Sequence, residues 1–526
     1  MSMLPASATE MDHDNGPITA EGLLRRRAHQ KPEAMALADP PNRQTLGLTP
    51  ARSFTYAQAD EAVDALAGFF IELGLEPGDR IVMQLPNVIE APLALLGAWR
   101  AGLTVAAVPM LWRAMEIARV CDAIEPKALI GAAEFAGERS AEYLRDVAAT
   151  RLSVRFVLGF GRNLPDGIAS LDDAIAAGRL ARDQVRARTH DGHSLITFTA
   201  RAGAPFIPVF RTEDEILAQG AMAVLALALD RGDTILNPYP FTGPVGLGLG
   251  LAPWLIAGAT LAQHHPFDYG AFVQQVLVTG ATVTALPGAV LAELARDGVL
   301  QDPQCRLRRV GRVWSTPGLS ESAALPVQAS RPVFDLVQLG DLASLMLRDE
   351  LDGRAGLPLG PVHLGEDAGG AVFVETKLGV GELLVRGPVV PRGASEGPLA
   401  ADRDGFVSTG LRGRAEDGGV RLQRDPELVY HGGFTIAASE LDGLYQAFPG
   451  FLDAACFVLP DPIVGDRIFA AVAPFPNAPV SLEALHRFLM ERGVAPYKFP
   501  DKLLVVKDIP RDRQGRILRG EILRQV

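Results

Sequence analysis

A chain of 526 residues with 48% hydrophobic and 21% charged residues has the composition of a folded, multidomain globular protein and excludes a disordered one. Its formal net charge of −12 excludes a broad nucleic-acid surface, which needs clustered Lys and Arg. Cys121, Cys305 and Cys456 lie far apart with no CxxC, so the expectation is reduced, buried thiols in a cytoplasmic setting, with no disulfide framework and no zinc site.

Residues 1–17 are polar and are expected to be a flexible N-terminus, without the basic stretch and apolar run of a secretory signal. A helix pattern begins at Ile18, and 52–56 is expected as a short strand. Over 57–73, Val63, Leu66, Phe69, Phe70 and Leu73 recur at helical spacing. Gly74, Pro77 and Gly78 make a turn before a strand at 80–85. Helix 88–101, strand 104–108, helix 113–124 and strand 128–131 follow, and the rhythm continues past 152–160, which implies parallel sheet built from βαβ units.

At 193–198 an apolar run leads into the small-residue stretch 197–208. Thr212 and Glu215 then stand three apart, as a capping box requires, ahead of an apolar-rich helix reaching Leu229. A strand, a small-residue loop and a capped helix make the layout of a phosphate-cradling loop. This one holds a single glycine, Gly203, two prolines and no lysine. Strands are expected at 234–237, 260–263, 282–286 and 309–314. The uncharged stretch 245–262 is about long enough to span a bilayer, yet Gly246, Gly248, Gly250, Pro253 and Gly258 make it a buried core segment, so no membrane span is expected. From Val362 the texture becomes short strands and turns. Beyond Arg424, helix 439–448, strands 454–459 and 468–473, helix 482–492 and strand 503–506 read as a separate α+β domain.

Several short motifs follow one another along the chain. They are Leu75-Glu76-Pro77-Gly78-Asp79-Arg80, the strand from Gly381 to Gly387, Asp404-Gly405-Phe406-Val407-Ser408-Thr409-Gly410, Glu416-Asp417-Gly418, Arg424, and His431-Gly432-Gly433 with Glu440 seven residues on. Ile509-Pro510-Arg511 and Gly515-Arg516-Ile517-Leu518-Arg519 close the series. Over nearly the whole chain this resembles the adenylate-forming (AMP-binding) superfamily of acyl-CoA synthetases, adenylation domains and luciferases. The resemblance implies an α/β fold: a large N-terminal domain over 18–423 of parallel-type sheets flanked by helices, with a small β-rich subdomain at about 362–423, and a small mobile α+β C-terminal domain over 424–526. It implies ATP, magnesium and CoA as family ligands. In the family, ATP and a carboxylate give an acyl-adenylate, and a thiol then takes the acyl group.

The motifs that would touch ATP depart from the family pattern. Thr199 keeps the leading threonine of the phosphate loop, but Arg201 replaces a glycine and Ile207 the lysine, while Gly203 restores a glycine only in a shifted register. Arg201 is expected as a solvated loop arginine, with an anion contact as the alternative. The aromatic–Gly–x–Thr–Glu motif, whose Glu helps to hold magnesium, becomes Leu339-Gly340-Asp341-Leu342-Ala343, and Asp341 is either a displaced ligand or a solvated carboxylate. Phe241 takes the place of a histidine. The Thr-Gly-Asp motif, whose aspartate grips the ribose, reads Thr409-Gly410-Leu411, and a leucine cannot accept a ribose hydrogen bond. Arg424 matches the arginine ahead of the domain hinge, where Pro426 narrows the backbone freedom of rotation. The adenylation lysine corresponds to Arg516, which keeps the charge in a bulkier planar group. His431, Gly432 and Gly433 fall where the family loop approaches the thiol, so His431 is either an acyl or pantetheine contact or a solvent-facing loop histidine.

Other patterns carry less. Gly393-Ala394-Ser395-Glu396-Gly397 matches GxSxG but sits between Pro391 and Pro398 without the flanking strand and helix. His264-His265 is expected as a strand-end surface pair, and no metal site is expected. The Gly246–Gly250 run is not a dinucleotide fingerprint. The expectation is an acyl-CoA-synthetase-like protein whose ATP-dependent adenylation is impaired or lost, still binding a small acyl or CoA-thioester ligand. Two alternatives stay open: a working acid–thiol ligase using Arg201, Asp341 and Arg516 as substitutes, and ATP-independent acyl chemistry or scaffolding on the same fold. A homodimer or a protein partner stays open as well.

Overall fold

The structure, a computed structural model, describes residues 18–178, 192–315, 317, 333–348, 357–364, 370–392, 397–416, 419–461, 463–476 and 479–525. The expected flexible N-terminus 1–17, Ser395 of the GxSxG match, and Asp417 and Gly418 lie outside them.

Two large sheets form the body of the protein. In the eight-stranded sheet, Val333–Leu339, Arg309–Trp314, Val283–Pro287, Thr234–Asn237, Thr260–Gln263 and Met35–Ala38 run parallel in that spatial order, with antiparallel edges Ala343–Arg348 and Ser53–Thr55. The seven-stranded sheet runs parallel from Ala169–Ser170 to Leu195–Arg201 and ends in one antiparallel edge, Ala204–Arg211. The alternating pattern therefore holds for the interior strands, and the edges close antiparallel.

The helix Glu90–Arg100 has all its residues buried, as a helix apolar on every side must be. Its two charged ends need partners. Glu90 accepts from Arg43 at 2.6 Å, while Arg100 donates to Asp60 and Asp64, each at 2.6 Å, and to Glu21 at 3.0 Å. An acid at the N-terminus and a base at the C-terminus also complement the helix dipole. Residues 245–262 are a π-turn (Gly246–Leu251), a short helix (Ala252–Ala257) and the start of a core strand, buried over most of their length. No helix among the described residues is long and apolar enough to cross a membrane. Cys121, Cys305 and Cys456 are buried and form no disulfide with one another.

A six-stranded antiparallel sheet runs from Leu357–Pro358 to Gly419–Gln423, beginning slightly earlier than the β-rich texture of the sequence indicates. The chain then forms a small C-terminal unit. Its five-stranded sheet includes the long hairpin Phe451–Asp461 and Gly465–Pro474, packed against Ala438–Gln446 and Leu482–Glu491. The whole is an α/β fold with a large N-terminal and a small C-terminal domain.

The stretch 197–208 corrects the expectation of a loop. Leu195–Arg201 and Ala204–Arg211 pair as a β-hairpin, with Thr199 opposite Ile207 and Phe198 opposite Pro208. Gly203, at φ +73°, turns the chain. The physical reason is that Phe206, Ile207 and Val209 are bulky or β-branched side chains that favour a pleated surface, and Arg201 stands where a flexible glycine would loosen the strand. The capping box of Thr212 and Glu215 forms as expected, but a strand now separates this helix from the turn.

Candidate functional site

The hairpin carries an ionic cluster. Thr199 and Arg201 lie on one strand, the pairing register shifts between them, and their side chains bond to each other. Arg201 is 8% exposed, which corrects the expectation of a solvated loop arginine. Its Nη1 donates to Thr199 Oγ1 at 2.8 Å and to the Ala200 carbonyl at 2.9 Å, and its Nη2 donates to the Gly340 carbonyl at 3.3 Å. Thr199 in turn donates to Asp341 Oδ2 at 2.9 Å. Asp341 is therefore no solvated carboxylate. Burial pushes its carboxyl above the usual range, against the pull of Arg201 and Thr199. From the second strand, Arg211 donates to the carbonyls of Asp341 at 2.5 Å and Leu342 at 2.7 Å, fixing the turn that presents the carboxylate.

Two glycines make this packing feasible. A Cβ on Gly340 would lie 1.8 Å from the Thr409 carbonyl oxygen, and one on Gly410 would lie 2.2 Å from Arg201 Cδ. The structure thus brings together Thr199, Arg201, Gly340, Asp341, Thr409 and Gly410, from three distant parts of the sequence, and the Arg201 side chain fills the space between them. Gly203 stays apart at the hairpin turn, with nothing within 4 Å of where its Cβ would be.

Beside the cluster lies a cavity of about 610 Å³ at the C-terminal ends of the parallel strands, where ligands of open α/β sheets collect. Thr199 and Asp341 form part of its wall. Phe198 stacks on Phe206 at 4.8 Å between ring centres, and Trp112 tilts against both, at 5.4 and 5.9 Å. His264-His265 is not a surface pair. His264 is fully buried between Gln275 and the Asp268 N–H, and His265 stacks on Phe135 and faces the cavity. Strand 260–263 enters the core, so both residues follow it in.

The C-terminal domain supplies the remaining wall. Gly432 and Gly433, at φ +58° and +85°, form the two-residue turn of the hairpin that pairs His431 with Phe434, and both glycines line the cavity. His431 ends a strand and is half-buried, its Nδ1 donating to the Asp466 carbonyl at 2.5 Å, which corrects the picture of a solvent-facing loop histidine. Phe434 stacks on Tyr497 at 4.3 Å, and Tyr497 accepts from Trp112 Nε1 at 3.1 Å. Lys498, 3% exposed, donates to Glu116 at 2.9 Å and Glu440 at 3.0 Å; Arg119 also pairs with Glu440. The first turn of Ala114–Ile124 is capped across the domains, with Met115 N–H donating to the Gly493 carbonyl at 3.0 Å. Local sequence does not single out Glu116 or Lys498; the scarcity of lysine is the one available signal.

Arg424, Pro426 and Arg516 do not line the cavity. Arg424 pairs with Asp466 and lies over the Tyr430 ring. Pro426 is exposed in a turn held by Asp425, whose carboxylate accepts from Arg412 at 2.6 Å and the Glu427 N–H at 2.9 Å. The Arg516 side chain is 75% exposed and bonded to Asp512 at 2.8 Å. Among the described residues, no group of three or more His, Cys, Asp or Glu is placed to hold a metal ion.

A family model described as AMP-binding enzyme matches residues 24–393. The salicyl-AMP ligase / salicyl-S-ArCP synthetase of Mycobacterium tuberculosis is 28% identical over 97% of this chain and 91% of its own length. The medium-chain fatty-acid–CoA ligase of Escherichia coli is 25% identical over 90% of this chain and 87% of its own. Among solved structures, the amide bond synthetase McbA from Marinactinospora thermotolerans superposes with a TM-score of 0.76 at 19% identity, over 96% of this chain and 99% of that one, a likeness of fold.

Proposed function

The chain belongs to the AMP-binding enzyme family, and we propose that it is an acyl-CoA-synthetase-like member that has lost ATP-dependent adenylation and holds an acyl or acyl-thioester ligand in its cavity. The observation that carries this reading is the buried Arg201 side chain, which occupies the space between Thr199, Gly340 and Gly410, where the motif resemblance puts ATP. The positions of the lost polar groups support it. Ile207 (for the loop lysine), Leu342 and Ala343 (for the hydroxyl and the magnesium glutamate) and Leu411 (for the ribose aspartate) are all buried in one apolar cluster. A triphosphate brings several negative charges, and the adjacent cation, Arg201, already serves Thr199, two carbonyls and the field of Asp341. These residues do not fit ATP and magnesium. The aromatic cavity walls, by contrast, suit an apolar acyl group.

The reading is tested by acid-dependent pyrophosphate release over a broad panel of aryl and alkyl carboxylic acids with ATP, magnesium and CoA. The expected result is no release above the no-acid background for any acid. Release with any one of them would assign the ligase activity that the relatives' names carry.

A further inference from the structure

We propose that the cavity selects an acyl group that arrives already as a neutral thioester and rejects the corresponding free carboxylate. This rests on the reading that the protein does not activate acids itself. A separate thioester-forming reaction would then have to supply the ligand.

The wall charges carry the inference. Among the described residues lining the cavity, the cations are Arg119 and Lys498, and the anions are Glu116, Glu440 and Asp341. Both cations are already committed: Lys498 is shared by Glu116 and Glu440, and Arg119 is bonded to Glu440. His265 adds no charge. The Asn87 N–H donates to its Nδ1 at 3.3 Å, which leaves the imidazole proton on Nε2, and burial pulls its pKa down to about 4. Arg516, in the place of the family's adenylation lysine, is on the exterior and paired with Asp512. A carboxylate entering this cavity would lose its hydration with both cations of the described lining already paired and with three carboxylates in the wall. A thioester has the same acyl body and no charge at its carbonyl end. Phe198, Phe206 and Trp112 contact apolar surface equally in either form, so the charge alone decides between them.

The test is calorimetric titration without ATP, using two matched probe pairs: octanoate against S-octanoyl-N-acetylcysteamine, and benzoate against S-benzoyl-N-acetylcysteamine. At least one thioester is expected to bind about tenfold or more tightly than its acid at about pH 7.5. Lowering the pH to about 5, toward the acid's own pKa, is expected to narrow the gap by neutralising the acid. An acid that binds as tightly as its thioester, or no saturation by any of the four, overturns the proposal. Glu440→Gln releases a cation inside the cavity and is expected to raise the affinity of the bound probe's acid several-fold, with folding checked by circular dichroism. An unchanged preference in that folded variant would refute charge pairing as the cause. Failure here shows as tight acid binding without ATP; failure of the adenylation reading shows as pyrophosphate release with it.

Discussion

Arg201→Ala is expected to lower the free energy of unfolding at neutral pH by about 3–5 kcal/mol, the effect of removing one partner from a buried charged cluster. Arg201 is enclosed, and its loss strips donors from Thr199 and from the carbonyls of Ala200 and Gly340. It also leaves Asp341 without the nearest positive charge acting on its carboxyl. The deficit should depend on pH in a definite direction. Asp341 already has a folded-state pKa above its unfolded value, because burial disfavours the carboxylate, and the substitution raises it further. For an acid raised on folding, the penalty is full above the folded pKa and fades as pH falls through it, because protonation removes the buried charge. Urea unfolding at about pH 7.5 and about pH 5 should therefore show the larger deficit at the higher pH. A deficit under about 1 kcal/mol at both would mean that Arg201 behaves as a surface residue.

Lys498→Met is the second large effect. It leaves Glu116 and Glu440, whose side chains are 2% and 5% exposed, as neighbouring buried carboxylates, with Arg119 alone among the described residues to compensate them. The expected loss is again about 3–5 kcal/mol, but it falls on the junction between the domains. Glu116 Oε2 also accepts the Arg113 N–H, and its Oε1 accepts the Ala495 N–H from the other domain. The pair therefore couples the capping of one helix to docking of the C-terminal unit. Urea denaturation should show an earlier, separate transition, and small-angle scattering before that transition should show an expanded particle. A variant with wild-type cooperativity and wild-type radius would contradict the view that Lys498 holds the domains together.

The interior strands, the main helices and the order of domains are legible in the sequence because apolar periodicity and capping are local signals. Thr212 with Glu215 is an example, and the structure forms that capping box. The hairpin at 195–211 is misread because a family pattern of small residues invites a loop, while the residues in place, Phe206, Ile207 and Val209, pair as a strand. Arg201 is misjudged for a related reason. Arginines in turns are usually solvated, and nothing nearby in sequence reveals that Asp341 and Gly410 enclose this one. The junction is invisible for a stronger reason. Lys498 and Glu116 lie 382 residues apart, and only the folded chain brings them within 2.9 Å. The departures from the family pattern at Ile207, Ala343 and Leu411 are readable one by one, but their packing into a single apolar cluster is a property of the tertiary structure.

The proposed loss of ATP use is tested most directly by calorimetric titration of the 526-residue protein with ATP and magnesium. With Arg201 filling the space between Thr199, Gly340 and Gly410, the expected result is no saturable binding up to about 1 mM nucleotide, weaker than about −4 kcal/mol. A saturating isotherm with a micromolar dissociation constant would contradict it, and would require Arg201 to leave its buried position to admit the nucleotide.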